Sequence, residues 1–314
     1  MRYAIIGSGA LGGLYGGLLA RTGHDVHFLL RSDYEHVRRH GLTIESPWGD
    51  FQLDHVQAYR RSEDLPPCDV TIVALKTTAN EQVPNLIAGP VGRGAPGGGG
   101  AAGGGEGVVM VLQNGLDIEG PAIDVVGRSR VLSGCCFLCS NKVGPGHIRH
   151  LDQGRVHFGS LEADGPASDI AGAVAADFAA AGVPIKVVDD VPKLRWRKLM
   201  WNIPFNGLSV VLNASTTQLI ENAATENLAW RLIEEVHRGA AACGHAIPDE
   251  HKAQTIEATR KMVPYDSSMR LDYLAGRPLE IEAIFDHPLD AARRHGHEMP
   301  LVGMLRDQLA YLSV

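Results

Sequence analysis

Lys198, Asn202 and Asn206 stand four residues apart in the run WRKLMWNIPFN at 196–206. On an α-helix each step of four turns about 400°, so the three side chains share one face. An amine and two amides on one stripe, set among Trp201, Ile203 and Phe205, form an unusual pattern for a solvated surface. A half-buried lysine gives up its proton more readily than a solvated one, which suits it to protonate the oxygen of a carbonyl under reduction. The amides could hold a hydroxyl or a carboxylate of the same substrate. Spacing alone fits the polar outer face of a packed helix equally well. We expect a helix kinked at Pro204, which removes the bond to the Met200 carbonyl. With Pro204 in the first turn of a helix instead, Lys198 would fall outside that helix.

A second polar cluster, Ser267-Ser268-Met269, reads as a helix N-cap. Leu279-Glu280-Ile281-Glu282 follows about a dozen residues later. A serine hydroxyl and helix-start N–H groups could bind a carboxylate, and one of the glutamates could pair with Lys198. Ordinary capping and solvated carboxylates explain the same residues taken singly.

A third cluster lies at the N-terminus. The apolar run Tyr3–Ile6 leads into Gly7-Ser8-Gly9-Ala10-Leu11-Gly12, and helical spacing follows through Leu14, Leu18 and Leu19. His24–Leu30 then reads as a second strand, which completes a β-turn-α-β unit in about 30 residues. Gly7 permits the tight turn, Gly9 admits a pyrophosphate to bare backbone, and Gly12 allows close helix–strand packing. The helix start adds free N–H groups and partial positive charge. NAD-binding chains usually end the second strand with Asp or Glu for the ribose 2′-hydroxyl. Here that place reads Leu30-Arg31-Ser32, and a guanidinium fork suits a 2′-phosphate, so NADP(H) is favoured over NAD(H). Lys76, after the strand Asp69–Leu75, could add a phosphate contact, although lone lysines after strands are common.

These groups need elements to position them. Further strands are expected at Val108–Leu112 and Arg130–Gly134, and apolar strands alternating with helical spacers argue for an α/β, Rossmann-type, doubly wound parallel sheet. After about residue 190 strand signals become rare. Asn222–Cys243 carries Leu228, Leu232, Val236 and Ala240 on an amphipathic helix ended by Gly244. Residues 1–190 are therefore expected to form the dinucleotide-binding domain and 191–314 a helical substrate and catalytic domain. Of 37 glycines, eleven fall in residues 89–107, read as a flexible connector inside the first domain.

Composition limits the remaining roles. The 314 residues are 45% hydrophobic and 21% charged, ordinary for a globular chain, with a formal charge of −7. No basic run of five residues occurs, which leaves nucleic-acid binding without electrostatic support. No uninterrupted apolar run of about 18 residues occurs, so no membrane span is expected. Five cysteines in a long chain read as reduced, cytoplasmic thiols. Cys136-x-x-Cys139 with His147 and His150 lacks zinc-site spacing, and no metal is expected. The histidines form no nucleophilic arrangement with Ser or Cys, so hydrolase chemistry finds no support. Oligomeric state stays open, with a homodimer on helix 222–243 among the arrangements admitted.

Taken together, GSGALG at 7–12, Arg31, LKT at 75–77, LQNG at 112–115, WRKLMWNIPFN, SSM at 267–269 and LEIE at 279–282 resemble the ketopantoate reductase family over nearly the whole chain. The resemblance implies a Rossmann domain plus an all-helical domain with the site in the cleft between them. It implies reduction of 2-dehydropantoate to pantoate, hydride passing from NADPH to the ketone carbon while Lys198 protonates the oxygen. Asn114 would lie near both nicotinamide and substrate. Asn202, Asn206 and Ser268 would hold substrate oxygens, and Glu280 would position substrate, lysine and cofactor. Glu282 would have a supporting role. Gly7, Ser8, Gly9, Ala10, Leu11, Gly12, Arg31 and Lys76 would bind the cofactor. Members often show Asn-Gly five residues after that glutamate, where this chain reads Phe285-Asp286. Two other readings stand beside this one: the same chemistry on another 2-oxo acid, and a non-catalytic NADP-sensing binder, which fold alone does not exclude.

Overall fold

The computed structural model describes residues 1–92 and 107–313. Most of the glycine-rich connector, residues 93–106, lies outside the described residues. Two compact units emerge: Met1–Gln113 with Glu119–Val191, and Asn114–Ile118 with Pro192–Val314. The short segment after Gln113 thus belongs with the C-terminal residues, although sequence order places it inside the first region.

The first unit is built on a ten-stranded sheet. Its strands are β1 (Arg2–Ile6), β2 (Asp25–Leu29), β3 (Leu42–Glu45), β4 (Phe51–Leu53), β5 (Gln57–Tyr59), β6 (Val70–Val73), β7 (Val108–Val111), β8 (Val131–Gly144), β9 (His147–Ser160) and β10 (Ile185–Val187). The consecutive neighbours β5-β2-β1-β6-β7-β8 are all parallel. Numbered by sequence among themselves, they follow the order 3-2-1-4-5-6, the doubly wound arrangement whose switch point lies between β1 and β6. Apart from exposed Arg2 and buried Thr71, both of these and β7 are apolar and buried on two faces, as strands inside a covered parallel sheet are. Helices α1 (Ala10–Arg21), α2 (Tyr34–His40), α3 (Val83–Ala88), α4 (Gly120–Val126) and α5 (Pro166–Ala180) complete the unit.

The sheet is mixed rather than wholly parallel. β8 runs ten residues beyond the expected end at Gly134 and pairs antiparallel with β9, with three register shifts along the hairpin. β3 pairs parallel with β9 and antiparallel with β4. The sequence of β9, HIRHLDQGRVHFGS, alternates buried and wetter positions and carries five charged or imidazole side chains in its first nine residues. No apolar run announces such a strand, because one of its faces is left to polar groups.

The second unit is helical: α6 (Val191–Val211), α7 (Thr216–Glu221), α8 (Ala223–Ala242), α9 (Glu250–Lys261), α10 (Ser268–Leu274), α11 (His287–Arg294) and α12 (Pro300–Leu312). A π-helical turn over Glu282–Asp286 leads into α11. α8 is capped by Asn222, whose Oδ1 accepts from Ala224 N at 2.9 Å and Thr225 N at 3.3 Å. It ends before Gly244, which is left-handed at φ +84°. One detail of the expected stripe changes. Leu228 is 36% exposed and Ala229 is buried with Leu232, Ile233, Val236 and Ala240. A strict four-residue repeat drifts about 40° per step, so its end leaves the core face.

Candidate functional site

In the sheet unit the GSGALG turn joins β1 to α1. Gly7 holds φ +99°, and a Cβ there would stand 2.7 Å from Leu75 N and 2.9 Å from the Ala74 carbonyl carbon. A Cβ on Gly12 would meet Gly7 O at 2.2 Å. Both glycines are therefore fixed by packing. Gly9 is different: among the described residues nothing lies within 4 Å of where its Cβ would be, which leaves space before the bare backbone at the start of α1. No side chain among the described residues caps that helix start, and its first turn carries no acidic residue. An anionic phosphate fits this cradle on steric and electrostatic grounds. Ser8 Oγ donates to Leu29 O at 3.4 Å, linking the turn to the end of β2.

The turn's backing strand is β6, whose continuation runs Ala74-Leu75-Lys76. The glycine turn after β1 and Lys76 after β6 thus flank the switch point of the sheet, where ligands of open α/β sheets bind. Lys76 is exposed, as is Arg31 two residues beyond β2. Gln113 Nε2 donates to Asn80 Oδ1 at 2.7 Å, tying the end of β7 to the short helical segment Thr77–Gln82 that follows Lys76.

In the helical unit α6 continues through Pro204 and carries Lys198, Asn202 and Asn206 in one helix. The three residues therefore share a face, as their spacing requires. Lys198 Nζ donates to Asn114 Oδ1 at 2.6 Å. Asn202 and Asn206 are 4% and 1% exposed, and Asn202 Nδ2 and Asn206 Oδ1 have no hydrogen-bond partner among the described residues. A buried donor and a buried acceptor left open in this way cost free energy unless something supplies their partners.

Sequence reading missed the residues that hold this constellation together. Asn114 reaches Lys198 because its turn is clamped from two sides. Arg195 Nη1 donates to Gly115 O at 3.0 Å, and Leu116 N donates to Ala283 O at 2.9 Å. Gly115 has φ +107°, and a Cβ there would stand 2.6 Å from both the Cβ and the carbonyl oxygen of Ala283. His287 adds a bond from Nδ1 to Leu116 O at 2.6 Å. Arg195 carried a usable signal, since it lies three residues before Lys198 and is itself 2% exposed. Ser209 had none. Its Oγ donates to Asn206 O at 3.0 Å and lies 2.7 Å from Ser267 Oγ, joining α6 to the start of α10.

Ser267 caps α10 by accepting from Arg270 N at 3.1 Å, which leaves Ser268 as the first, partly exposed helical residue. The two acids of LEIE part company. Glu280 is 4% exposed, whereas the Glu282 side chain is 82% exposed and stands 3.6 Å from His287 Nε2. A buried carboxylate is costly and is kept for pairing or chemistry. Phe285, in the π-helical turn, is fully buried; burial pushes the Asp286 carboxyl up, against the pull of Arg306 at 3.1 Å. Cys136 and Cys139 are buried, and burial raises the Cys139 thiol to about 12. Among the described residues no three His, Cys, Asp or Glu side chains converge as metal ligands, and no helix is long and apolar enough to cross a membrane.

A doubly wound sheet with an open glycine turn, followed by a helical unit carrying a lysine and buried amides, defines an oxidoreductase-type architecture. The family described as "Ketopantoate reductase PanE/ApbA" matches residues 3–163, and its C-terminal counterpart matches residues 190–312. The chain is 44% identical over 315 residues to a 2-dehydropantoate 2-reductase of Nostoc sp., covering 99% of this chain and 95% of that one. It superposes on the crystal structure of 2-dehydropantoate 2-reductase from Geobacter metallireducens GS-15 with a TM-score of 0.91 at 40% identity, covering 99% of each chain. The corresponding structure from Methylococcus capsulatus gives a TM-score of 0.85 at 30% identity, over 99% of this chain and 96% of that one. The chain belongs to the ketopantoate reductase family, oxidoreductases acting on a ketone group.

Proposed function

We propose that this protein reduces 2-dehydropantoate to pantoate with NADPH, in the cytoplasm. The observation that carries the reading is the Lys198–Asn114 contact at 2.6 Å on the helix face that also bears two buried amides, each with one polar atom unpartnered among the described residues. Gly7, Ser8, Gly9, Ala10, Leu11, Gly12, Arg31, Lys76 and Asn114 would hold NADPH, which when bound supplies a hydride to the ketone carbon. Lys198 donates a proton from Nζ to the ketone oxygen. Asn114 orients that amine through its Oδ1. Asn202 Nδ2 donates to a substrate oxygen, while Asn206 Oδ1 accepts from a substrate hydroxyl. Ser268 donates to the carboxylate, and buried Glu280 positions the substrate and Lys198. A substrate with a carboxylate, a ketone and a hydroxyl matches that set of donors and acceptors.

The sheet unit on this reading is the NADP-binding domain and the helical unit the substrate domain. A different 2-oxo acid is the second reading, favoured by the buried Phe285 at the place where the resemblance would call for Asn-Gly. Absorbance assays of NADPH oxidation across a panel of 2-oxo acids test both. The highest kcat/KM is expected with 2-dehydropantoate, and a higher value for another 2-oxo acid transfers the reading to that substrate. No oxidation with any 2-oxo acid would leave a non-catalytic NADP binder.

A further inference from the structure

The NADPH reading rests on Arg31, yet an acidic residue stands two positions later. Chain geometry allows Asp33 to sit no more than about 7 Å from Arg31, measured between Cα atoms. A carboxylate at that distance would repel a 2′-phosphate and could accept a ribose 2′-hydroxyl, as the acid near the end of the second strand does in NAD-binding sheets. In this chain that carboxylate is already engaged. Asp33 is 6% exposed, and Lys142 Nζ lies 2.6 Å from each of its oxygens. Gly146 N donates to Oδ2 at 3.0 Å and Ser32 Oγ to Oδ1 at 3.0 Å.

The lysine and the glycine come from the far end of β8 and the turn into β9. That hairpin is held in place through Thr43 N, which donates to Gly146 O at 2.8 Å. Burial opposes the charge on Asp33, but Lys142 and the Gly146 N–H outweigh it and hold the carboxyl below its ordinary value. The carboxylate is thus turned into the hairpin and its charge is matched there, while Arg31 is exposed beyond β2.

We propose that Lys142, more than a hundred residues from Arg31 in sequence, is a specificity-determining residue: by occupying Asp33 it leaves the strand end to a 2′-phosphorylated adenosine and withholds an acceptor from an unphosphorylated ribose. The proposal rests on the NADPH reading. It concerns positioning, since Lys142 is assigned no contact with the cofactor.

Calorimetric binding of 2′,5′-ADP and 5′-ADP to the whole protein tests it without substrate or turnover. The wild type is expected to prefer 2′,5′-ADP. Lys142→Met frees a carboxylate beside the phosphate and should cut that preference by roughly tenfold or more, the size of one unscreened like charge at this distance. Lys142→Gln, which keeps a donor but no charge, should cut it too and serves if the methionine variant fails to fold. The double variant Asp33→Asn/Lys142→Met should restore the preference to near the wild-type value, because no carboxylate remains to be released. A single variant with unchanged preference overturns the proposal. So does a double variant as poor as the single one, which would make Lys142 a merely structural tether. Arg31→Ala separates the two readings. If it abolishes the preference while Lys142→Met does not, the NADPH reading stands and this proposal falls. A wild type without preference for 2′,5′-ADP removes both.

Discussion

Lys198 Nζ rests on Asn114 Oδ1 at 2.6 Å although 84 positions of sequence separate them, because the Asn114–Ile118 segment folds with the helical residues rather than with the sheet it leaves. The amine is thereby aimed by an amide oxygen.

Removal of that donor should separate binding from chemistry. Lys198→Ala is expected to bind NADPH with wild-type affinity and to lose at least about 10²-fold in kcat, the usual scale of a lost acid–base group. Fluorescence titration with NADPH and steady-state assays with 2-dehydropantoate measure the two halves. Near-normal turnover would remove Lys198 from the mechanism.

The unsatisfied amides make a prediction of opposite sign for stability and activity. Asn202→Leu exchanges a buried donor without a partner among the described residues for an apolar group of similar size, which relieves a penalty of about 1–3 kcal/mol in the ligand-free protein. Its thermal midpoint should match or exceed the wild type, while KM for the 2-oxo acid rises. A clear fall in midpoint would show that Asn202 serves the fold.

Gly115→Ala tests the clamp on the Asn114 turn. A methyl at φ +107° is strained and would press on Ala283 at 2.6 Å, so a loss of about 2 kcal/mol or more is expected in urea unfolding. Because the same turn aims Asn114, kcat should fall even under conditions where the variant is fully folded. Unchanged kcat in the folded variant would detach the turn from catalysis.

The glycine turn offers a matched pair. Gly9→Ala places its methyl in open space at an ordinary φ of −77°, so it should fold with near-wild-type stability and bind NADPH poorly. Gly12→Ala meets Gly7 O at 2.2 Å and should be destabilised before binding is considered. Melting curves with and without NADPH distinguish them. Wild-type affinity in Gly9→Ala would refute a phosphate at that position.

Much of the architecture was legible because it rests on local rules. The runs at β1, β6 and β7 are apolar apart from exposed Arg2 and buried Thr71 since both faces are covered, and α8 shows most of its stripe and its terminating glycine in the sequence itself. β9 was not legible, since it is held by pairing with β8 and by one buried face instead of by an apolar run. Leu228 was misplaced because a four-residue repeat does not track a 3.6-residue helix for long.

The candidate site divides along the same line. Residue type and spacing alone determined the lysine–amide–amide face of α6, the glycine turn, and Arg31 where an acid is usual, because helical periodicity and turn sterics act within a few residues. Tertiary structure alone decided that Glu280 is buried while Glu282 is not, that Ser209 joins Asn206 to Ser267, and that Arg195 and Ala283 hold the Asn114 turn. It also decided that Asp33 answers to Lys142 across 109 positions. Such contacts depend on how distant segments pack, and no local pattern carries the address of a partner a hundred residues away.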